Sequence, residues 1–406
     1  MSDWKIYKLN EISTLSNGLN FDKSAYTSGI KLIGVSDFKD RLYPDYDSLQ
    51  EIDAKVIRSS DYLEKGDIVF VRSNGNKELV GRCMMIDCET PVTYSGFCIK
   101  LHLTDKTRFN PVFFNYLFRT RLFKKSMTGT AVGANIQNLS QTRLGSCEVR
   151  VPNIEKQKAI ADILSRYDSL IENYQKQIKL LEESAQRLYK EWFIDLRFPG
   201  HENTKIIDGV PEGWEKKKIY DVCDTIGGGT PSTKVQEYYE GGNISWVTPT
   251  DITRNNSLCL LATEKKITQE GLDHSSAKML PAETILMTSR ASVGYFGICD
   301  FEVCTNQGFI SCVPFKKNIQ MYLLYNLMSR VEEIRTKAGG STYLEISKSV
   351  FRNFDIISPS DDVLNVFQHK SHQKLDRIRC LSKKIRLLTE ARDRLLPKLM
   401  SGEIEV

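Results

Sequence analysis

Between Pro152 and Pro199 the chain carries neither glycine nor proline, and this uninterrupted run limits the fold more than any other feature. Apolar residues recur along it at Ile160, Ile163, Tyr167, Leu170, Ile171, Tyr174, Ile178, Leu181 and Leu188. Between them Lys156, Asp162, Arg166, Glu172, Lys176, Glu182 and Arg187 mix both signs of charge, as on a helix with one apolar stripe. Asn153 suits the N-cap, and Glu155 in the first turn favours the positive end of the helix dipole. The pattern predicts one helix over 153–192, far longer than the roughly 8–20 residues usual in a globular domain. At about 1.5 Å per residue it would reach roughly 60 Å. A helix of that length is expected to act as a coiled-coil spacer or a partner surface.

The second half of the chain restates the first, and such internal repeats decide architecture. Asp3-Trp4-Lys5 with Leu9 and Ile12 is answered by Gly213-Trp214-Glu215 with Ile219 and Val222. Ile33-Gly34-Val35-Ser36-Asp37 matches Trp246-Val247-Thr248-Pro249-Thr250-Asp251, and Val80-Gly81 matches Val293-Gly294. Gly66 to Phe70 is answered by Ala282 to Met287, and Gly96-Phe97 by Gly308-Phe309. Cys147 to Pro152 corresponds to Phe354 to Pro359, and each proline is followed by a long helical pattern. The second pattern starts at Ser360 with Asp361 and Asp362, carries Leu364, Phe367, Leu375, Ile378, Leu381, Ile385, Leu388 and Leu395, and is expected to stop or kink at Pro397.

Each repeat reads as a globular domain followed by a helix. Short β-rich runs are expected at 67–72, 83–86, 99–103, 284–288 and 309–313, with helical stretches near 111–125 and 319–337. The predicted fold class is α+β: two repeated globular α/β domains separated by two long antiparallel coiled-coil helices, related by a pseudo-two-fold. The expected boundaries are domain 1 at 1–152, the central helix at 153–196, a linker at 197–212, domain 2 at 213–359, the C-terminal helix at 360–400 and a tail at 401–406.

Catalytic chemistry is missing from the pattern. No GxxxxGK[ST] phosphate loop occurs, and Gly227-Gly228-Gly229-Thr230-Pro231 lacks the lysine and helix that one requires, so it reads as a loop. Asn110-Pro111-Val112-Phe113 has part of an adenine methyltransferase motif, but a helix start with Pro111 in the first turn explains it better. Asp251 with Glu264-Lys265-Lys266 imitates a nuclease pattern and reads as a charged turn. His369 and His372 stand on the C-terminal helix without a third ligand, which reads as a solvated face and not a metal site. The 406 residues hold ten cysteines without a CxxC pair, and 41% are hydrophobic and 26% charged. No leader sequence and no apolar run of membrane length is apparent, so reduced thiols and a cytoplasmic location are expected. The chain reads as a binder: catalytic residues none, metal none, no cofactor of its own.

A net charge of +5 permits a nucleic-acid partner. Each domain has a loop of basic and small polar residues: Arg72, Asn74, Asn76 and Lys77 in the first, Ser289, Arg290 and Ser292 in the second. Each also has a Gly/Thr/Asn-rich stretch before its long helix, at 128–141 and 338–343, bringing Thr130, Asn135, Gln137, Asn138, Ser341, Thr342 and Tyr343. Asn306 and Gln307 complete the candidate DNA-contacting set, since such side chains bind phosphates and base edges. The competing reading of every one is a solvated loop. The C-terminal helix is distinctly basic, with Lys370, Lys374, Arg377, Arg379, Lys383, Lys384, Arg386, Arg392, Arg394 and Lys398. Ile160, Leu164, Ile171, Ile178, Leu181, Leu188, Ile378, Ile385, Leu388 and Leu395 are the candidate partner-binding stripe.

The whole chain resembles the specificity subunits of type I restriction-modification systems. The resemblance rests on Gln157-Lys158-Ala159-Ile160-Ala161-Asp162-Ile163-Leu164-Ser165, Trp192-Phe193-Ile194-Asp195-Leu196-Arg197-Phe198-Pro199-Gly200 and Leu395-Leu396-Pro397-Lys398-Leu399-Met400-Ser401-Gly402. Val210-Pro211-Glu212-Gly213-Trp214 looks like that family's entry to a target-recognition domain. The second long helix departs from the pattern, with Phe367-Gln368-His369-Lys370 where another Gln-Lys-Ala-Ile run is expected. The resemblance implies two target-recognition domains, each reading half of a split, asymmetric double-stranded DNA sequence. It also implies two modification (methyltransferase) subunits docked on the helices and restriction (motor-nuclease) subunits outside them. S-adenosylmethionine, ATP and magnesium would then sit in those partners. The alternative is a tandem coiled-coil scaffold that binds proteins only.

Overall fold

A computed structural model describes residues 4–39, 41–73, 79–128, 138–255, 257–340 and 343–406. The chain forms two compact units, Met1–Ser169 with Thr389–Val406, and Leu170–Leu388. The division falls within both long helices, so each unit takes a segment of each.

Unit 1 runs β1 (Lys5–Lys8), α1 (Leu9–Ile12), β2 (Ser13–Asn17), β3 (Tyr26–Ile33), β4 (Gln50–Ile52), β5 (Tyr62–Leu63), β6 (Ile68–Val71), β7 (Cys83–Met85), β8 (Val92–Tyr94), β9 (Cys98–Leu103), α2 (Pro111–Arg119), α3 (Arg121–Thr128), α4 (Gln141–Gly145) and β10 (Glu148–Val151). The central sheet has the order β2-β9-β6-β7, a second has β4-β3-β8-β5, and β1 closes the domain against β10. All four residues of β6 are buried, which is why its sequence is a continuous apolar run and not an alternating one. In β10, Glu148 and Arg150 face water while Val149 and Val151 face the core.

Next come α5 (Ile154–Tyr189), a π turn over Lys190–Ile194 and the hairpin β11 (Ile206–Ile207) and β12 (Val210–Pro211). The hairpin occupies the segment expected to be a plain linker. Unit 2 continues with β13 (Glu215–Lys218), α6 (Ile219–Val222), β14 (Cys223–Gly227), β15 (Ile244–Val247), α7 (Pro249–Thr253), β16 (Lys265–Ile267), α8 (Gln269–Asp273), β17 (Ile285–Thr288), β18 (Phe296–Ile298), β19 (Cys304–Thr305), β20 (Phe309–Pro314), α9 (Gln320–Ser329), α10 (Val331–Thr336), α11 (Lys348–Arg352), β21 (Asp355–Ser358) and α12 (Asp361–Ser401). Its sheets repeat those of unit 1: β14-β20-β17-β18 answers the central sheet, the parallel pair β15/β19 answers β3/β8, and β13/β21 answers β1/β10. The fold class is α+β, duplicated.

A glutamine near the start of each long helix ties down the domain before it. Asn153 Oδ1 accepts the Lys156 N–H at 2.9 Å, as an N-cap should. The buried Gln157 accepts the Asn110 N–H at 2.8 Å and donates to the carbonyls of Arg108 and Pro152. On α12, Gln368 accepts the Met321 N–H at 2.9 Å and donates to Gln320 Oε1 at 3.1 Å. Gln368, about one turn further into its helix, therefore plays the part of Gln157, and the departure at 367–370 keeps a glutamine for it. Asn110 caps α2 through the Phe113 N–H at 3.1 Å with Pro111 in the first turn, the helix start expected there.

Within each unit the two long-helix segments pack antiparallel. In unit 1, Ile160, Ala161 and Leu164 share a core with Leu399 and Met400, and the Asp168 carboxylate accepts from both the Tyr116 hydroxyl and Arg392. In unit 2, Trp192 meets Phe367, Lys374 Nζ lies 3.5 Å from the Ser184 carbonyl, and Lys384 stands over the Tyr174 ring. The helix α12 does not stop at Pro397 but continues to Ser401. A proline inside a helix costs about 3 kcal/mol, and the burial of Leu399 and Met400 against the unit 1 core offsets it.

Of the candidate partner stripe, Ile160, Leu164, Ile171, Ile178 and Ile378 are buried, and Leu181, Leu188, Ile385, Leu388 and Leu395 are partly buried. Ile160, Leu164 and Leu395 belong to the unit 1 core, and Ile178, Leu181, Leu188, Ile378 and Ile385 to that of unit 2. These side chains hold the helices to their own units, where they were expected to form a stripe for partners.

Glu182 on α5 accepts the Leu258 N–H at 2.9 Å. Burial pushes its pKa up against the opposing pull of that hydrogen bond. A carboxyl held above its ordinary value binds its proton more tightly folded than unfolded. Its stabilising contribution is full below the unfolded pKa and lost as pH rises through the folded one. Glu182→Gln keeps the acceptor and removes the charge, so it should raise the thermal midpoint at about pH 8, with the gain shrinking towards about pH 4. A gain of equal size across that range, or none, would contradict this account.

Candidate nucleic-acid interface

One backbone junction recurs in both units. In unit 1 the chain leaves β6 at Arg72, whose N–H donates to the Phe97 carbonyl at 2.8 Å and whose own carbonyl accepts the Leu139 N–H at 2.8 Å. Ser73 bridges Asn138 alongside. In unit 2 the chain leaves β17 at Ser289, whose N–H donates to Gly308 at 2.7 Å and whose carbonyl accepts the Ile346 N–H at 3.0 Å. Arg290 bridges Glu345. Three segments distant in sequence, one before the long helix, thus meet at the same place in each unit.

The junction brings together most of the described candidates. Arg72 is half-buried, with Nη1 3.5 Å from the Gly96 carbonyl, and Asn138 is exposed. Arg290 and Ser292 are exposed, while Ser289 is buried, so its side chain is withdrawn from any ligand. Asn306 Oδ1 accepts the Gly308 N–H at 2.9 Å, shaping the turn, and Gln307 accepts from the Thr230 hydroxyl. Tyr343 is 59% exposed on the segment that leads to Glu345. Asn74, Asn76, Lys77, Thr130, Asn135, Gln137, Ser341 and Thr342 lie outside the described residues.

Strand register corrects the pairing of the two halves. Val71 faces Cys98 and Thr288 faces Phe309, so Phe97 corresponds to Gly308 and Arg72 to Ser289. Phe97, 60% exposed at the turn of unit 1, has no aromatic counterpart in unit 2. Sequence reasoning placed it in the framework because Gly96-Phe97 and Gly308-Phe309 look alike. Glu345 was also missed, since an isolated glutamate gives no signal for DNA.

The glycine-rich stretch of unit 2 has a packing cause. A Cβ on Gly228 would sit 2.0 Å from the Asn306 carbonyl oxygen, as one on Gly18 would sit 2.3 Å from that of Ser95. Backbone passes backbone there, so only glycine fits. Asp251 accepts from the Thr248 and Glu264 N–H groups and caps α7, while Lys265 and Lys266 lie on β16, a strand where a charged turn was expected. His369 is exposed and His372 partly so, and no metal-binding group of His, Cys, Asp or Glu occurs among the described residues.

The basic face of α12 is less available than its sequence suggests. Arg379 pairs with Glu283 at 2.7 Å and Asp376 at 2.8 Å, Lys383 with Asp300 at 2.8 Å, Lys398 with Glu403 at 3.3 Å, and Arg392 with Asp168 and Asp393. Burial pushes the Asp300 carboxyl up, but Lys383 and Arg379 outweigh it and hold it below its ordinary value. These cations neutralise local carboxylates, which weakens the argument that this helix is a DNA surface.

Two copies of one α+β domain, each ending in a long helix and each presenting the same junction with different side chains, define a duplicated recognition protein. The family model for the type I restriction modification DNA specificity domain matches residues 1–183 and again 211–391, and the chain belongs to that family. It is 24% identical over its whole length to the HindI specificity subunit of Haemophilus influenzae, all of which is covered, and 25% identical to the putative MjaX specificity subunit of Methanocaldococcus jannaschii, with 94% of that chain covered. A stretch of 158 residues is 36% identical to the MjaIX specificity subunit of the same archaeon, spanning 38% of this chain and 36% of that one. The crystal structure of the type I restriction-modification S subunit from M. genitalium shares the fold, with a TM-score of 0.60 at 16% identity over 98% of this chain and 96% of that one. Among the described residues no helix is long and apolar enough to cross a membrane.

Proposed function

We propose that this chain is the DNA-specificity subunit of a type I restriction-modification complex, each unit reading one half of a bipartite, asymmetric target. The observation that carries the reading is the repeated junction. Arg72, Ser73, Phe97 and Asn138 in one unit and Ser289, Arg290, Gly308 and Glu345 in the other stand on equivalent backbone. A shared framework with unlike side chains is what reading two unlike half-sites requires.

The chain itself is non-catalytic in this reading. It positions two modification subunits for adenine methylation and restriction subunits for cleavage, in the cytoplasm with the DNA it reads. S-adenosylmethionine belongs to the modification subunits, and ATP and magnesium to the restriction subunits. The faces of α5 and α12 left outside their own cores are the proposed docking surfaces, with exposed Leu170, Leu180, Val366 and Leu387 upon them.

The test is to co-express the chain with its modification subunit and map methylated adenines across the host genome. A single split motif with two unlike halves around a fixed gap is the expected result. A stable complex that adds no methylation would favour the protein-only scaffold.

A further inference from the structure

Arg290 and Glu345 in unit 2 form a pair that stability does not explain. Arg290 Nε lies 3.6 Å from Glu345 Oε2, and the side chains are 46% and 47% exposed. An ion pair so open to water adds little to folding. The backbone nevertheless fixes the two opposite each other. They share an antiparallel bridge, the Ala291 N–H donates to the Leu344 carbonyl at 2.8 Å, and Glu345 exchanges two hydrogen bonds with Gly339 at 2.9 and 3.0 Å. Ala291 is held at a φ of 60°, a left-handed conformation that a non-glycine residue keeps only when its surroundings impose it.

The contact runs through Nε, and no hydrogen bond from the described residues occupies Nη1 or Nη2. Those groups form an edge of the guanidinium that can meet O6 and N7 of guanine in the major groove. Glu345 makes the pair electrically neutral, so it is a poor anchor for phosphate. Arg72 in unit 1 differs: its Nη1 faces the Gly96 carbonyl, and no described carboxylate pairs with it. Its unbalanced charge suits a phosphate contact.

We propose that Arg290 reads a guanine in the half-site of unit 2 and that Glu345 is its positioning residue, turning the guanidinium away from phosphate and towards the base edge. This rests on the DNA-specificity reading above. The test uses the assembled complex with its modification subunits and duplexes carrying the wild-type motif. Arg290→Ala should lower discrimination at one G·C pair of one half-site by about 10- to 100-fold and leave the other half unchanged. Arg290→Lys keeps the charge but not the fork and should not restore it. Glu345→Gln should reduce discrimination at the same pair and steepen the salt dependence, adding roughly one to the slope of log affinity against log salt. Arg72→Ala should weaken all duplexes alike and flatten that slope by about one. Uniform weakening by Arg290→Ala with base preference intact, or wild-type discrimination in Arg290→Lys, would overturn the assignment. A wild-type complex that methylates no split motif would instead overturn the reading beneath it.

Discussion

Replacing residues 1–152 by the corresponding segment of a relative with another target is expected to change one half of the methylated motif completely and leave the other half as it was. The junction of unit 1 lies wholly within the exchanged segment, at Arg72, Phe97 and Leu139, and that of unit 2 lies wholly outside it. The boundary is demanding because the unit 1 core continues beyond it through Ile160, Leu164, Leu399 and Met400. The donor segment must also supply a backbone N–H for Gln157 and a hydroxyl for Asp168, the roles of Asn110 and Tyr116 here. Burial and the neighbouring Asp168 carboxylate both push the Tyr116 hydroxyl pKa up, so it remains a donor throughout the neutral range. A donor with phenylalanine at that position would leave a buried carboxylate with one partner fewer, and misfolding would then mimic lost specificity. The hybrid is therefore checked first for an unchanged thermal midpoint and then by its methylation map. Both halves changing together, or neither changing, would contradict one half-site per unit.

What the sequence disclosed followed from local rules. The starts of α5 and α12 stand directly after Pro152 and Pro359, where caps and acidic first turns are written into consecutive residues. The duplication was visible because both domains keep β1/β10-type closing pairs beside tryptophan and proline landmarks. What it hid depends on distance. The passage of α12 through Pro397 is decided by Leu399 and Met400 reaching a core built from the first domain. The basic face of α12 looked free because Asp168, Glu283 and Asp300 are remote in sequence from Arg392, Arg379 and Lys383. The correspondence of Phe97 with Gly308 needed strand register, since a one-residue slip leaves the Gly-Phe pairs looking aligned. The Arg290–Glu345 pair likewise exists only once Leu344, Glu345 and Ile346 meet the loop after β17.

Phe367→Ala should lower the unfolding free energy of unit 2 by about 3–5 kcal/mol, the range for a fully buried phenylalanine. Its side chain is 0% exposed, and its ring lies 4.9 Å from that of Phe193, 5.8 Å from Trp192, 6.3 Å from Tyr325 and 6.4 Å from Tyr189. Together those residues join the end of α5 to the start of α12 and to α9, so a void there loosens three elements. Tyr189→Phe should cost less, about 1 kcal/mol, because it removes only the hydroxyl that accepts from Asn326 at 3.0 Å. Ser371, one turn further along α12, provides the opposing case. It is 0% exposed, and its hydroxyl has no hydrogen-bond partner among the described residues. Ser371→Ala removes an unsatisfied polar group and adds helix propensity, so it should be neutral or stabilise by about 1 kcal/mol. Urea unfolding of all three variants separates the causes: if helix propensity governed this segment, alanine would help at both 367 and 371. Opposite signs from two sites on one face of one helix would place the stability of the segment in the aromatic seam, and a loss below about 1 kcal/mol for Phe367→Ala would refute that seam as the anchor.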